Sequence, residues 1–241
     1  MQLTIITATF NAAKHLPRLT QSLRAQTDRD FEWIVMDGGS QDGTIEFLEQ
    51  IHDLPLIFHS EQDFGIYDAL NKAIKKARGE YYLIMGADDA LAPDGVANYK
   101  KLIDDTGADI LTASIQREDG KVIAKPWGPP WLTGQKAYIT DHSVGSVYRK
   151  SLHDHPNVGF YSRCYPICAD HLFVKRAANS GAKIATGSFF AGYFGSNGIS
   201  SRDYVGRLTE SFRIQLETEQ KGPQVALFLL RLIKNMPKFF Q

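Results

Sequence analysis

Two acids stand side by side at Asp88-Asp89, after the run Tyr81-Tyr82-Leu83-Ile84-Met85 and the pair Gly86-Ala87. Five consecutive apolar or aromatic residues read as a buried strand, which places the acids at its C-terminal end. Adjacent carboxylates there cost free energy unless something cationic sits between them and a ligand. In open α/β sheets, ligands bind just beyond the carboxyl ends of strands. A hard divalent cation held by a carboxylate and shared with a diphosphate suits that place, because such ions take oxygen ligands and borrow them from phosphates. The plainer reading makes Asp88 or Asp89 the cap of a helix implied by Pro93-Asp94-Gly95. Local pattern leaves both open.

The elements that position these acids follow from periodicity. Residues 3–8 predict a strand leading into Thr9-Phe10-Asn11, and Leu16, Leu19 and Leu23 give the next helix one apolar face. Residues 31–36 predict a second strand that ends in Asp37-Gly38-Gly39-Ser40-Gln41-Asp42-Gly43-Thr44, where glycines permit a tight turn before a helix with Ile45, Leu48 and Ile51. A third strand at 56–59 runs into Glu61-Gln62-Asp63-Phe64-Gly65, then a helix with Ile66, Leu70, Ala73, Ile74 and Ala77 closed by Gly79. Alternating strands and helices predict a parallel sheet with crossover helices. Its strand ends share one edge, so Thr9, Asn11, Asp37, Glu61, Asp63, Asp88 and Asp89 should converge there. Each alone suits a turn; together they predict a binding edge.

After residue 105 the regularity changes. Strands are expected at 108–115 and 121–125, joined by Glu118-Asp119-Gly120. Pro126-Trp127-Gly128-Pro129-Pro130-Trp131 reads as a loop with exposed or half-exposed indoles, excluded from helix and central strand, forming an acceptor wall or packing a lobe. Residues 139–149 look strand-like. Ala169-Asp170-His171 starts a helix that continues to about Ser180 and stops at Gly181. Asp170 lies in its first turn, where the helix dipole favours a carboxylate for structural reasons alone. Residues 223–241 form a basic amphipathic helix with Gln224, Arg231, Lys234, Asn235 and Lys238 near one face, and no acid follows Glu219. Such a helix suits an anionic membrane surface, or packs on protein.

Composition removes several classes. In 241 residues, 27 basic side chains balance 27 acidic ones, so no global field draws nucleic acid. No run of about 18 apolar residues exists to span a bilayer. Met1-Gln2-Leu3-Thr4-Ile5-Ile6 enters a strand at once, and no signal peptide is expected. Cys164 and Cys168 are expected as two buried, reduced thiols, ahead of a disulfide or half a metal site. The expected location is cytoplasmic, with a peripheral place at the inner face of the plasma membrane if the tail binds lipid.

Thr7-Ala8-Thr9-Phe10-Asn11, the 37–44 turn and Asp88-Asp89 resemble family 2 inverting glycosyltransferases of the GT-A fold. Residues 61–72, Asp141-His142-Ser143, Ala169-Asp170-His171 and Gly195-Ser196-Asn197-Gly198-Ile199-Ser200 resemble a subgroup associated with bacterial surface polysaccharides. The likeness covers roughly residues 1 to 202, in order. It implies a Rossmann-like α/β fold: a central mixed, mostly parallel sheet flanked by helices, a smaller acceptor-side lobe and the C-terminal amphipathic helix. Residues 1–115 would then bind the nucleotide-sugar donor, 116–220 would form the acceptor-binding and catalytic half, and 221–241 the helix.

The resemblance further implies a donor site of Thr7, Thr9, Asn11, Asp37, Asp63 and Asp88, with Asp88 holding Mn2+ or Mg2+ against the diphosphate. Asp170 matches the catalytic base, and His142 would sit by the acceptor or diphosphate. The reaction implied is a single transfer with inversion to a glycan or polyprenyl-diphosphate-linked acceptor. Two departures stand out. Gly86 replaces the first acid of Asp-x-Asp, and Ala169 replaces the acid that often precedes the base. The alternative is a non-catalytic sugar-nucleotide or glycan binder of the same fold. A nucleotidyltransferase would want a Gly-rich basic loop after the first strand, and Thr9-Phe10-Asn11-Ala12-Ala13 is none.

Overall fold

A computed structural model describes residues 2–195 and 203–235. Strand β1 (Leu3–Thr9) lies between β2 (Glu32–Asp37) and β4 (Tyr81–Ile84), and β2 pairs with β3 (Leu56–Ser60), all in parallel. Helices α1 (Leu16–Arg24), α2 (Thr44–Glu49) and α3 (Ile66–Lys76) return the chain between them. Then come β5 (Ala90–Leu91), α4 (Gly95–Thr106), β6 (Ile110–Arg117), β7 (Val122–Ile123) and the one-turn helix α5 (Pro130–Thr133). The chain continues through β8 (Ser146–Arg149), α6 (Ala169–Asn179), β9 (Ile184–Phe194), α7 (Tyr204–Thr218) and α8 (Lys221–Asn235). The sheet order is β3-β2-β1-β4-β8-β6-β9-β5, with β7 pairing β6. The mixed α/β architecture agrees with the expectation: parallel through its first half, antiparallel where β8 enters between β4 and β6.

Strand periodicity builds two cores. Leu3, Ile5, Trp33, Val35, Tyr81 and Leu83 meet Leu16, Leu19 and Leu23 of α1 and Val96, Tyr99 and Ile103 of α4. The alternate residues Ile6, Ile34, Met36, Tyr82 and Ile84 meet Leu70, Ala73 and Ile74 of α3 and Leu172, Phe173 and Ala177 of α6. Burial on both faces explains why these strands read as nearly continuous apolar runs.

Several expectations need correction. Residues 139–149 are not one strand, since only Ser146–Arg149 pairs in the sheet. Before it, Thr140 gives its hydroxyl to Ala113 O, Asp141 takes φ 64°, and His142 caps a 3-10 turn over Ser143–Gly145. Side-chain hydrogen bonding to backbone replaces the ladder there. The Pro-rich stretch is not all loop, because Pro130 stands at the start of α5, where a missing N–H costs nothing. Trp127 and Trp131 are exposed, as expected. Cys168 is buried but Cys164 is exposed, and both are free thiols. Neither Asp88 nor Asp89 caps α4; the side chain of Gln26 accepts from Val96 N instead. The tail helix runs over Lys221–Asn235 among the described residues. Residues 236–241 of the expected helix, like 196–202, lie outside the described residues.

Candidate active site

Thr9, Asp37 and Ser60 are in register at the ends of β1, β2 and β3. Asp37 accepts from the hydroxyls of Thr9 at 3.0 Å and Ser60 at 2.8 Å, and from the backbone N–H groups of Gly39 and Ser40. Burial works against its charge, but hydrogen bonds from Ser40, Ser60 and Thr9 outweigh it and hold the pKa below the ordinary carboxylate value. Asp37 thus organises the strand-end loops. Asn11, at φ 49°, ties them together: its side-chain oxygen accepts from Gln41 N and its N–H donates to Ser40 Oγ. Gly38 is pressed between the Asp63 carboxylate and the Phe10 ring, where a Cβ would lie 2.9 Å from Asp63 Oδ2.

A cavity of about 920 Å³ opens beyond the strand ends. Thr9, Asn11, Asp88, His142 and Asp170 all line it, although they span 161 positions of sequence, from 9 to 170. Three other expected residues stay off its wall. Thr7 is fully buried and its hydroxyl accepts from the Trp33 indole N–H at 3.1 Å. Asp37 is consumed by its loop, and Asp63 lies against Gly38 with Oδ1 accepting from Gly65 N.

The acidic pair divides its labour. Asp89 is buried and accepts from Gly86 N at 2.6 Å and Gly195 N at 3.1 Å. Burial, with a further push from Asp88, raises its pKa to about 6. Asp88 Oδ2 is buried with no hydrogen-bond partner among the described residues. Gly86 and Gly195 flank this carboxylate pair. A Cβ at Gly86 would lie 3.0 Å from Asp89 Oδ2 and 3.1 Å from Asp88 Oδ1, and one at Gly195 would collide with Asp88. Gly86 therefore makes room for both carboxylates.

Asp170 sits in the first turn of α6 and takes a 2.7 Å hydrogen bond from the Tyr67 hydroxyl, which also lies 3.0 Å from Ile167 O. Burial raises the Asp170 pKa, the Tyr67 donor pulls it down, and nearby Asp141 pushes it up again. A carboxylate in that balance is more basic than usual. His142 stacks on Phe194 at 4.2 Å and accepts through Nδ1 from Val144 N. Tyr67 carried no role in the sequence reading: it stood inside a recognised stretch, but its partner lies 103 residues away. Arg231 of α8 also lines the cavity, from a helix whose expected roles were membrane contact or packing on protein.

Residues 4–165 match the family described as Glycosyl transferase family 2. The chain belongs to that family. Among curated relatives, a PGL/p-HBAD biosynthesis glycosyltransferase of Mycobacterium tuberculosis is 29% identical over 228 residues, covering 87% of this chain and 85% of the relative. Among solved structures, Staphylococcus aureus TarS 1-349 superposes with a TM-score of 0.73 at 20% identity, covering 97% of this chain and 72% of TarS. The mannosyltransferase PcManGT of Pyrobaculum calidifontis, solved with GDP-Man and Mn2+, gives a TM-score of 0.68 at 20% identity over 92% of this chain and 66% of its own. These structures share the glycosyltransferase fold with this chain.

The residues present fit a divalent cation. No cluster of three or more His, Cys, Asp or Glu side chains forms a complete metal cage among the described residues. The single orphaned Asp88 oxygen suits an ion that takes one or two carboxylate oxygens from protein and the rest from phosphate and water.

Proposed function

We propose that this family 2 glycosyltransferase moves one sugar from a nucleotide-sugar donor to a hydroxyl of a glycan or lipid-linked acceptor, with inversion, in the building of a bacterial surface polysaccharide. The observation that carries the reading is a raised-pKa carboxylate, Asp170, on the same cavity as Asp88, whose Oδ2 has no partner among the described residues. Thr9 and Asn11 flank the nucleoside side, on loops braced by Asp37, with Asp63 behind them against Gly38. Asp88 would hold Mn2+ or Mg2+, which supplies Lewis-acid neutralisation of charge on the departing diphosphate. Asp170 takes the acceptor hydroxyl proton as that oxygen bonds to the anomeric carbon. The bond from that carbon to the diphosphate oxygen breaks, and its electron pair leaves with the nucleoside diphosphate. Attack opposite the leaving group inverts the centre in one displacement. His142, on the same wall, faces the acceptor or the diphosphate.

The decisive experiment is a thermal-shift panel of UDP, GDP, dTDP and CDP, each with and without Mn2+. A ligand at 100 times its Kd adds about 2.7 kcal/mol, or roughly 5–10 °C for a domain of this size. A metal-dependent shift with one base is expected and names the donor class. No shift with any of them returns the chain to a glycan binder without turnover.

A second expectation concerns Tyr67. Its hydroxyl favours the charged form of Asp170, so Tyr67→Phe raises the Asp170 pKa. The base must be ionised to act, so the acid limb of the kcat/KM profile moves to higher pH. A hydrogen bond to a charged group is worth ~1.5–3 kcal/mol, which predicts a displacement of about 1–2 pH units. An unmoved limb with uniformly reduced activity would leave Tyr67 with packing alone.

A further inference from the structure

Helix α8 presents the wrong side to water. Its polar residues turn inward: Gln224 is 2% exposed and donates to Trp131 O at 2.8 Å, while Arg231 donates to Leu132 O. Between them Phe228 stacks on Phe212 of α7, with ring centroids 4.1 Å apart. Facing out are Val225, Leu229, Leu230 and Ile233, at 46, 54, 62 and 67% exposure. Their spacing makes one continuous apolar stripe along two turns. A helix packed only for stability on this domain would bury that stripe and expose Gln224.

Charge says what covers it. The whole chain is neutral, yet Lys221, Arg231 and Lys234 of α8 meet no acid after Glu219 anywhere in the sequence. Lys221 and Lys234 are exposed and bracket the stripe. A second copy docking by two-fold symmetry would bring these lysines together with no helix acid to pair them. An anionic leaflet accepts both the aliphatic side chains and the flanking cations. Trp131, whose carbonyl receives Gln224, is itself exposed, a residue type favoured at the lipid headgroup level. No helix among the described residues is long and apolar enough to cross a membrane, so the contact is with the surface.

We propose that α8 is a docking helix for an anionic bilayer, lying in the interface with Val225, Leu229, Leu230 and Ile233 toward the lipid. Because Arg231 on its opposite face lines the cavity, docking holds the cavity beside the leaflet. Resting on the glycosyl-transfer reading, this makes the acceptor a lipid-borne one, presented at the membrane surface.

The test is co-sedimentation of the full chain with vesicles of phosphatidylcholine alone or with about one-third phosphatidylglycerol. The chain is expected to pellet with the anionic vesicles, to be released by salt, and to stay in solution with the neutral ones. The variant Leu229→Ser, Leu230→Ser, Ile233→Ser, changed only at exposed positions, should partition at least about tenfold less while keeping its circular dichroism and nucleotide shift. Failure of the unaltered chain to pellet with anionic vesicles overturns the proposal. So does a dimer in sedimentation equilibrium that the triple variant converts to monomer, since a second copy would then own the stripe. Neither measurement reads transfer: vesicle binding without any nucleotide shift would sink the enzymatic reading and leave docking in place.

Discussion

Asp170→Asn is expected to lower kcat by about 10²–10⁴, the usual contribution of a positioned general base. Asparagine keeps the shape of the side chain and an oxygen to accept from the Tyr67 hydroxyl, so the first turn of α6 and the cavity wall should survive. What disappears is the capacity to take a proton. The Asp170 carboxylate holds that capacity at an elevated pKa because it is buried and faces Asp141, while Tyr67 keeps the charged form accessible. Donor affinity should barely change, because the nucleoside site proposed above is at the strand-end loops, on other elements than α6. The check is a comparison of kcat by product assay with nucleotide Kd by calorimetry. Normal turnover in the variant would remove Asp170 from the role, and lost nucleotide binding would make it a donor residue instead.

Asp88→Asn should act in the opposite compartment, weakening Mn2+-assisted nucleotide binding by at least about 100-fold. Changes to residues that merely orient metal ligands already cost 10–100-fold, and Asp88 Oδ2 has no hydrogen-bond partner among the described residues. The same change should stabilise the metal-free protein. Asp89 has a folded pKa of about 6, well above the ordinary carboxylate value, through burial and the charge of Asp88. A raised carboxyl pKa means that stability is greatest below the unfolded pKa near 4 and falls as pH rises through about 6. At neutral pH the penalty is fully present. Removing the Asp88 charge lowers the Asp89 pKa and reduces that penalty, so the melting temperature at pH 7 should rise while the metal-dependent nucleotide shift vanishes. A melting temperature that falls, or a nucleotide shift that persists with Mn2+, would separate Asp88 from the metal. Stability surrendered at a site in exchange for binding is a common feature of functional acids.

Much of the first half of the molecule was legible from residue order. Continuous apolar runs and helical spacing predict β1 to β4 with α1 to α3, because β1, β2 and β4 are buried on both faces and each helix repeats its buried face within a few residues. Convergence of Thr9, Asn11 and Asp88 followed from topology, since parallel strands place their ends on one edge. The stretch at 139–145 misled because Thr140, Asp141 and His142 satisfy backbone groups with side chains, and β propensity carries no sign of that.

By itself, then, residue order determined the family, the strand–helix alternation and the edge on which the polar residues gather. The folded chain decided how each of those residues is used. Asp37 and Asp88 look alike in sequence, each an acid after an apolar run. One is saturated by Ser40, Ser60 and Thr9, and the other keeps an oxygen with no partner among the described residues. Asp170 acquires its basicity from burial and Asp141, held in check by the hydrogen bond from Tyr67, all set by contacts across long separations. For α8, amphipathic spacing was visible, but which face meets the domain depended on the carbonyls of Trp131 and Leu132 waiting for Gln224 and Arg231. Periodicity is a local property; hydrogen-bond satisfaction and burial are set by residues far away in the chain.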